Sequence, residues 1–341
     1  MKFTIALPQS NRVSSPTAIR DVAQAAEELG FWALSMHDHL TFDGQWIGCG
    51  SATDLGTSDV RSVYEPLTTY AHVAALTERV RLLLSIMLLP AREPLMTAKQ
   101  LATLDRLSGG RVSLGIGVGL AGNETEPPFV RLLAANAAQE WAALGVPVRR
   151  RGRLSDERLG AMQALWTDES ASYTGDFISF TDVAMYPKPQ QPGGIPILVA
   201  GSSPAALART ARGGHSWLPN HARADEIAAG ISYLHQLHEQ HQTTFSGEVV
   251  LNLFMRLDEN VGVAESALPQ VFRDSLGPEV SDRNLLGNPD DLIARTETYR
   301  AAGVTALDLK PVYDSVDELL VMMKRFADEV MAATSTPAAP A

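Results

Sequence analysis

The sequence predicts an α/β chain folded as a (β/α)8 TIM barrel with insertions after strands. Three observations carry that expectation. Short apolar runs alternate with amphipathic helical segments along nearly the whole chain, without a second composition class. Eight such strand–helix units can be laid end to end, which is the number that closes a parallel sheet on itself. The chain has 341 residues, 45% of them hydrophobic, which is long for one ordinary domain but normal for such a barrel.

The elements follow in order. Phe3–Leu7 reads as the first strand, and Thr17–Leu29 as a helix ended by Gly30. Trp32–Met36 is the second strand, Pro66–Thr77 its helix, and Val80–Leu88 the third strand. In the helix Leu95–Leu107, Leu101, Leu104 and Leu107 recur on one face, and Ser108-Gly109-Gly110 ends it with residues that tolerate the left-handed conformation. Val112, Leu114, Ile116 and Val118 then form an apolar run, with Val112–Ile116 the fourth strand. Gly115, Gly117 and Gly119 are interleaved in it, and glycines there allow a large flat ligand or its phosphate to lie against the backbone. A long helix, Asp156–Trp166, leads into a strand-rich excursion, Ser172–Met185, and a proline-rich connector, Pro187–Pro196. Ile197–Ala200 is the fifth strand, with Pro204–Arg212 its helix. Ser216–Leu218, Val249–Arg256 and Ala306–Lys310 complete the eight, and Asp225–Gln240, Asp290–Ala302 and Val316–Met331 are the remaining helices. One domain over 1–333 is expected, with 334–341, TSTPAAPA, a disordered tail.

Two insertions break the pattern, Thr41–Val63 and Leu120 to about Arg153. Both follow strands, and in such barrels those loops sit on the active face, so both are candidate lids as well as candidate surface decoration.

Composition narrows the function. A formal net charge of −11 disfavours a nucleic-acid partner, which needs a basic face. The single cysteine, Cys49, excludes an internal disulfide and fits a reducing cytoplasm. The N-terminus MKFTIALPQ has too short an apolar run for a signal peptide, and the stretch Val80 to Pro90 is too short to span a bilayer. A cytoplasmic chain with no membrane partner is the expectation, and no residue grouping asks for a metal.

Asp38-His39 is the leading catalytic pair. It lies just past the second strand, where barrel enzymes place their chemistry, and an adjacent carboxylate can orient a histidine that moves protons near neutral pH. His37 is expected to face the other way by strand alternation. Ser85 is a small residue inside a buried strand, suited to a hydroxyl–backbone bond. Gly201-Ser202-Ser203 precedes Pro204 and a helix, a turn suited to holding an anion and equally to capping the helix. The glycines of GIGVG alternate along a strand with no helix starting immediately after them, so they are not a dinucleotide fingerprint. Arg149, Arg150, Arg151 and Arg153 form a local basic cluster, either solvated surface or a seat for a polyanionic tail.

The run Ala98–Gly119, AKQLATLDRLSGGRVSLGIGVG, resembles the fourth-strand signature of the luciferase-like family, barrels that use flavin or deazaflavin. GFWALSMHDHL (30–40) resembles the family's second strand, and RLLLSIMLLPAREPLMTAKQLATLD (81–105) its third strand and helix. RGRLSDERLGAMQALWT (151–167) resembles the helix after the inserted region. YTGDFISF with Pro187–Trp217 resembles the excursion, connector and fifth strand. The match covers roughly the first two thirds of the chain in motifs and the rest by pattern alone.

The resemblance implies that Asp38 and His39 contact the cofactor ring, His39 handling the substrate proton while Asp38 orients it. It implies a bulge at Ser85-Ile86 behind the central ring, often with a cis non-proline peptide. Gly117 and Gly119 would bind the cofactor, and Gly201, Ser202 and Ser203 would hold its phosphate. Where bacterial luciferase offers an arginine to that phosphate, this chain has Val118 between its two glycines. His215 stands where the family often carries an acidic residue, making it a candidate substrate contact, and Asn123 and Glu124 lie near a polar active-site position. The implied function is hydride transfer between the deazaflavin coenzyme F-420 and a small organic substrate. A two-component monooxygenase using reduced FMN and a non-catalytic flavin-binding barrel are the alternatives. A homodimer and a separate flavin or deazaflavin reductase are the implied partners.

Overall fold

A computed structural model describes residues 1–10, 13–40, 63–120, 128–240 and 242–334. The chain runs β1 (Lys2–Ala6), α1 (Pro16–Glu28), β2 (Ala33–Met36), α2 (Pro66–Ala74), β3 (Arg81–Leu88), α3 (Pro94–Leu107), β4 (Val112–Gly117), α4 (Pro128–Ala143) and α5 (Arg151–Thr167). A two-stranded antiparallel hairpin, β5 (Ala171–Thr174) and β6 (Ser179–Val183), follows. Then come β7 (Ile197–Ala200), α6 (Pro204–Gly213), β8 (Ser216–Leu218), α7 (Ala224–Gln240), β9 (Val250–Leu257), α8 (Val261–Ser266), α9 (Gln270–Leu276), β10 (Leu285–Gly287), α10 (Pro289–Ala301), β11 (Ala306–Pro311) and α11 (Val316–Arg325).

The starts of the helices are written in their first residues. Pro occupies the first helical turn of α1, α2, α3, α6 and α10, where its missing N–H costs nothing. Ser15, Glu65, Glu93, Ser203 and Asn288 cap those five starts with side-chain oxygens. Gly214, in the left-handed region at φ 63°, ends α6.

The strands form one sheet in the order β10-β9-β11-β1-β2-β3-β4-β7-β8. Parallel bridges Trp217–Val249 and Asn220–Asn252 join β8 back to β9 and close the ring, with β10 a short extra strand on β9. The eight strands expected from sequence all appear. Three differences lie in what the sequence leaves silent: β10, the α8–α9 pair, and α4 inside the second insertion. The last predicted helix also becomes α11 followed by a π-helical stretch, Phe326–Met331, and a final turn reaching Thr334. Thr334 is buried, so the expected tail loses its first residue, and the remainder lies outside the described residues. Of the insertion Thr41–Val63 only Val63 is described, bridged to Ser10. Among the described residues no helix is long and apolar enough to cross a membrane.

Side-chain alternation sorts each strand into an outer and an inner face. Outward residues such as Ile5, Leu34, Leu82, Leu114, Val199, Leu253 and Leu309 pack under the helices as the main core. Inward residues stack in layers. The lowest is apolar, with Ala33, Leu83, Leu198, Leu218, Val250 and Ala306. Two residues further along four of those strands stand Ser35, Ser85, Asn252 and Asp308, all buried. There Asp308 Oδ2 accepts from Ser85 Oγ at 2.6 Å, Asn252 Nδ2 at 2.8 Å and Lys310 Nζ at 3.1 Å, and Lys310 also donates to Ser35 Oγ at 2.8 Å. One step higher on β2, β9 and β11 come His37, Phe254 and Lys310, the floor of the barrel mouth.

Candidate active site

The mouth is built from strand ends. Between Leu84 and Met87, β3 gains a residue relative to β4, a bulge centred on Ser85-Ile86, and that peptide is cis. The bulge turns Ser85 into the polar layer and lays Ile86 across β4. It also answers the purpose of two glycines. A side chain at Gly115 would collide with the Leu84 carbonyl, and one at Gly117 with the tip of Ile86. At Gly119, with φ 69°, the indole of Trp141 fills the space. The sequence reading, in which a ligand lies directly against these glycines, is therefore corrected at Gly119 and qualified at Gly117. Protein side chains take those positions, although Gly117 still lines a narrow cleft beside Val118.

Asp38 and His39 point to opposite sides, as successive residues at a strand end do. Asp38 is 1% exposed; both its oxygens are held by Arg92, Nε at 3.0 Å on Oδ2 and Nη2 on Oδ1, and the Leu88 amide donates to Oδ2 at 3.2 Å. Burial pushes its carboxyl above the ordinary carboxylate value, while Arg92 and the Leu88 amide pull it back part of the way. The expectation that Asp38 orients His39 is thus overturned, since its carboxylate is committed to Arg92. His39 meets a different carboxylate, that of Glu140 on α4, with Nδ1 to Oε2 at 3.2 Å. The expectation for His37 is also reversed. It stands two residues from His39 and on the same side, their ring centroids 5.9 Å apart. Burial holds the His37 imidazole well below its ordinary value, helped by His39 and Lys310 nearby.

The opposite rim carries His221, which the sequence did not single out. It follows β8 at φ 44°, sits 4.8 Å from Phe254 and 4.9 Å from Phe272 between ring centroids, and its Nδ1 meets Asn284 Oδ1 at 2.8 Å. Burial lowers its pKa to about 4. His215, by contrast, precedes β8 and so lies at the end of the barrel away from the mouth, which removes it from substrate contact; burial lowers it to about 4 as well. Asn123 and Glu124 lie outside the described residues.

Above the strand ends, α4 packs its Trp141 and Ala137 with Leu88 and Leu154, and the Trp141 indole N–H donates to Leu120 O at 3.0 Å. The described part of the second insertion therefore covers the mouth on the β3–β4 side.

The Gly201–Ser203 turn lies beside that narrow cleft, whose walls include Gly117, Val118, Ala200, Ser155 and Arg209. Gly201 needs its glycine, at φ 98°, and its N–H is spent on Leu218 O at 3.1 Å. Ser202 and Ser203 are exposed, and Ser203 Oγ caps α6 by accepting from Ala206 N at 3.3 Å. Next to the cleft, Arg158 donates to Leu89 O at 3.1 Å while its Nε is buried without a hydrogen-bond partner. The serine-capped start of α6 and the Arg158 guanidinium fit an anionic group such as a cofactor phosphate. The Ser155 hydroxyl, by contrast, already donates to Arg151 O at 2.8 Å, and Arg209 is already paired with both oxygens of Asp156. The arginine cluster is largely consumed by structure. Arg150 and Arg153 pair with Asp176, Arg150 stacks 4.2 Å over Phe177, and Arg151 bonds Gly119 O and Val148 O. Among the described residues, no group of three or more His, Cys, Asp or Glu is placed to hold a metal.

Known proteins resemble this chain in sequence and in fold. A protein of Mycobacterium tuberculosis without an assigned function is 34% identical over 202 residues, 58% of this chain and 64% of its own length. The chain thus spans less than two thirds of that relative. The FMNH2-dependent dimethylsulfone monooxygenase of Pseudomonas putida is 29% identical over 216 residues, 62% of this chain and 51% of its length. The F-420-dependent glucose-6-phosphate dehydrogenase of Beutenbergia cavernae is 25% identical over 336 residues, 90% of each chain. The crystal structure of a monooxygenase from Streptomyces bottropensis superposes with a TM-score of 0.75, covering 98% of this chain and all of that one at 23% identity. The model of the luciferase-like monooxygenase family matches residues 1–306, and with its closed barrel and strand-end site the chain belongs to that family, whose members include flavin- and deazaflavin-dependent oxidoreductases.

Proposed function

We propose that this protein is an oxidoreductase that transfers a hydride between the deazaflavin coenzyme F-420 and a small organic substrate. The observation that carries this choice is the extent of two matches. Similarity to the F-420-dependent dehydrogenase runs over 90% of both chains, whereas that to the FMNH2-dependent monooxygenase spans 51% of the latter. Val118 between Gly117 and Gly119 leans the same way, since no guanidinium comes from β4.

When bound, the coenzyme supplies the hydride donor or acceptor. The rest falls to the chain. The start of α6 at Ser202 and Ser203 would hold the phosphate through hydroxyls and backbone amides, beside Arg209 in its pair with Asp156. The Ser85-Ile86 bulge would support the ring, with Ser85 Oγ donating to Asp308 Oδ2 at 2.6 Å below it. His39, 18% exposed at the mouth, gives or takes the substrate proton. Asp38, locked to Arg92, is a structural anchor of that mouth and holds no substrate proton. A homodimer in the cytoplasm, fed by a separate reductase, belongs to the same reading.

The test is to titrate the purified protein with F-420 and with FMN separately. Tighter F-420 binding is expected. FMN binding at micromolar or better with no F-420 binding, or substrate oxygenation driven by reduced FMN, would replace this reading with the monooxygenase.

A further inference from the structure

We propose that Glu140 is the positioning residue for His39, holding its ring in the tautomer with the proton on Nδ1 so that Nε2 exchanges the substrate proton. The inference rests on the reading of His39 as the proton-transfer group.

Glu140 sits on α4, outside the barrel strands, yet it is 1% exposed. Its two oxygens reach two consecutive residues of the mouth: Oε2 lies 3.2 Å from His39 Nδ1, and Oε1 accepts from the Leu40 amide at 2.5 Å. One carboxylate therefore fixes both the imidazole and the backbone that leads away from it. An ionised carboxylate only accepts, so the nitrogen facing it carries the hydrogen and the lone pair falls to Nε2. The division of exposure supports the division of labour. The His39 side chain is 18% exposed and Glu140 1%, so a substrate can reach the imidazole and not the carboxylate. Glu140 acts through His39.

The placement of Glu140 is itself enforced. The next residue, Trp141, fills the space over Gly119 and donates to Leu120 O, which pins this turn of α4 to the end of β4. The described charges around the imidazole are themselves paired or set back. Asp38 is neutralised by Arg92, and His37 lies 5.9 Å away with Lys310 beyond it. The Glu140 carboxylate thus meets His39 at Nδ1, on the side away from the substrate.

The plainer role for Glu140 is a cap on the Leu40 amide. Glu140→Gln separates the two, because the Gln carbonyl can still accept from Leu40 while the charge is gone. In the wild-type protein, 15N spectra of the histidines should show His39 protonated on Nδ1. In Glu140→Gln, that tautomer should no longer dominate. A wild-type His39 protonated on Nε2 overturns the proposal, as does a Glu140→Gln protein whose His39 signals are unchanged. If Glu140→Gln fails to fold, the wild-type spectrum alone decides. Full turnover in His39→Ala would sink the role of His39 in catalysis, while the spectrum would still report on the pair.

Discussion

Asp38 and Arg92 meet in the gap between the end of β2 and the turn after β3, the guanidinium engaging both carboxylate oxygens. Arg92 then reaches Glu65 at 2.8 Å, the residue that caps α2 by accepting from Thr68 N at 2.7 Å. Three segments that are distant in sequence are thus tied at one corner of the mouth by a single side chain.

Replacing Arg92 with Met should therefore cost about 3–5 kcal/mol, because it strands a buried carboxylate. The Asp38 carboxyl, already raised by burial, should rise further. Chemical denaturation measures the loss; a change below about 1 kcal/mol would show that the corner relaxes without its cation.

His39→Ala should lower turnover by ~10²–10⁴, the usual contribution of a positioned proton-transfer group. Cofactor affinity should change much less. Steady-state rates alongside cofactor titration check both, and a variant that binds cofactor with near-normal turnover removes His39 from the mechanism.

His215 and His221 give stability a pH dependence of definite sign. Both are held to about 4 by burial, below the ordinary value near 6.5. As pH falls through 6.5 the unfolded chain takes up protons that the folded chain refuses, so stability is present above 6.5 and drains away toward 4. Each histidine contributes at most ~1.4 kcal/mol per pH unit in that window. Denaturation between pH 7 and pH 5, above the range of ordinary carboxylates, should show the slope, and His215→Gln or His221→Gln should flatten it.

Gly115→Ala should be far worse than Gly117→Ala. The first drives a methyl into the Leu84 carbonyl, which is backbone; the second meets the tip of Ile86, which can turn aside. Overpacking of the unyielding kind costs ~1–3 kcal/mol or more. Thermal melts of the two variants make the comparison, and equal losses would mean that Ile86 is as immovable as the strand.

The barrel was legible because its strands are short apolar runs and its helices begin with Pro after a capping side chain. Ala306–Lys310 encodes the polar layer as well as a strand. In ALDLK the charges alternate with leucines, which places Asp308 and Lys310 inside the ring once the outer face is known to be the apolar one. Glu140 was not legible. Its tie to His39 spans 101 residues and depends on how α4 lies across the mouth, and no local pattern encodes that. Adjacency of Asp38 and His39 in sequence suggests contact, whereas neighbours on extended backbone diverge, Asp38 to Arg92 and His39 to Glu140. His215 and His221 were separable only once β8 was bounded, since three strand residues decide which of them reaches the mouth.

The extra residue in β3 has a consequence for how such a chain can drift over generations. Its displaced Leu84 carbonyl occupies the place where a side chain at position 115 would stand. A lineage that loses the glycine must already have straightened β3, and one that straightens β3 opens a void beside the glycine until something larger arrives. Neither change is neutral alone, so the two strands are inherited as one unit, and homologues that vary at one of these places should vary at the other.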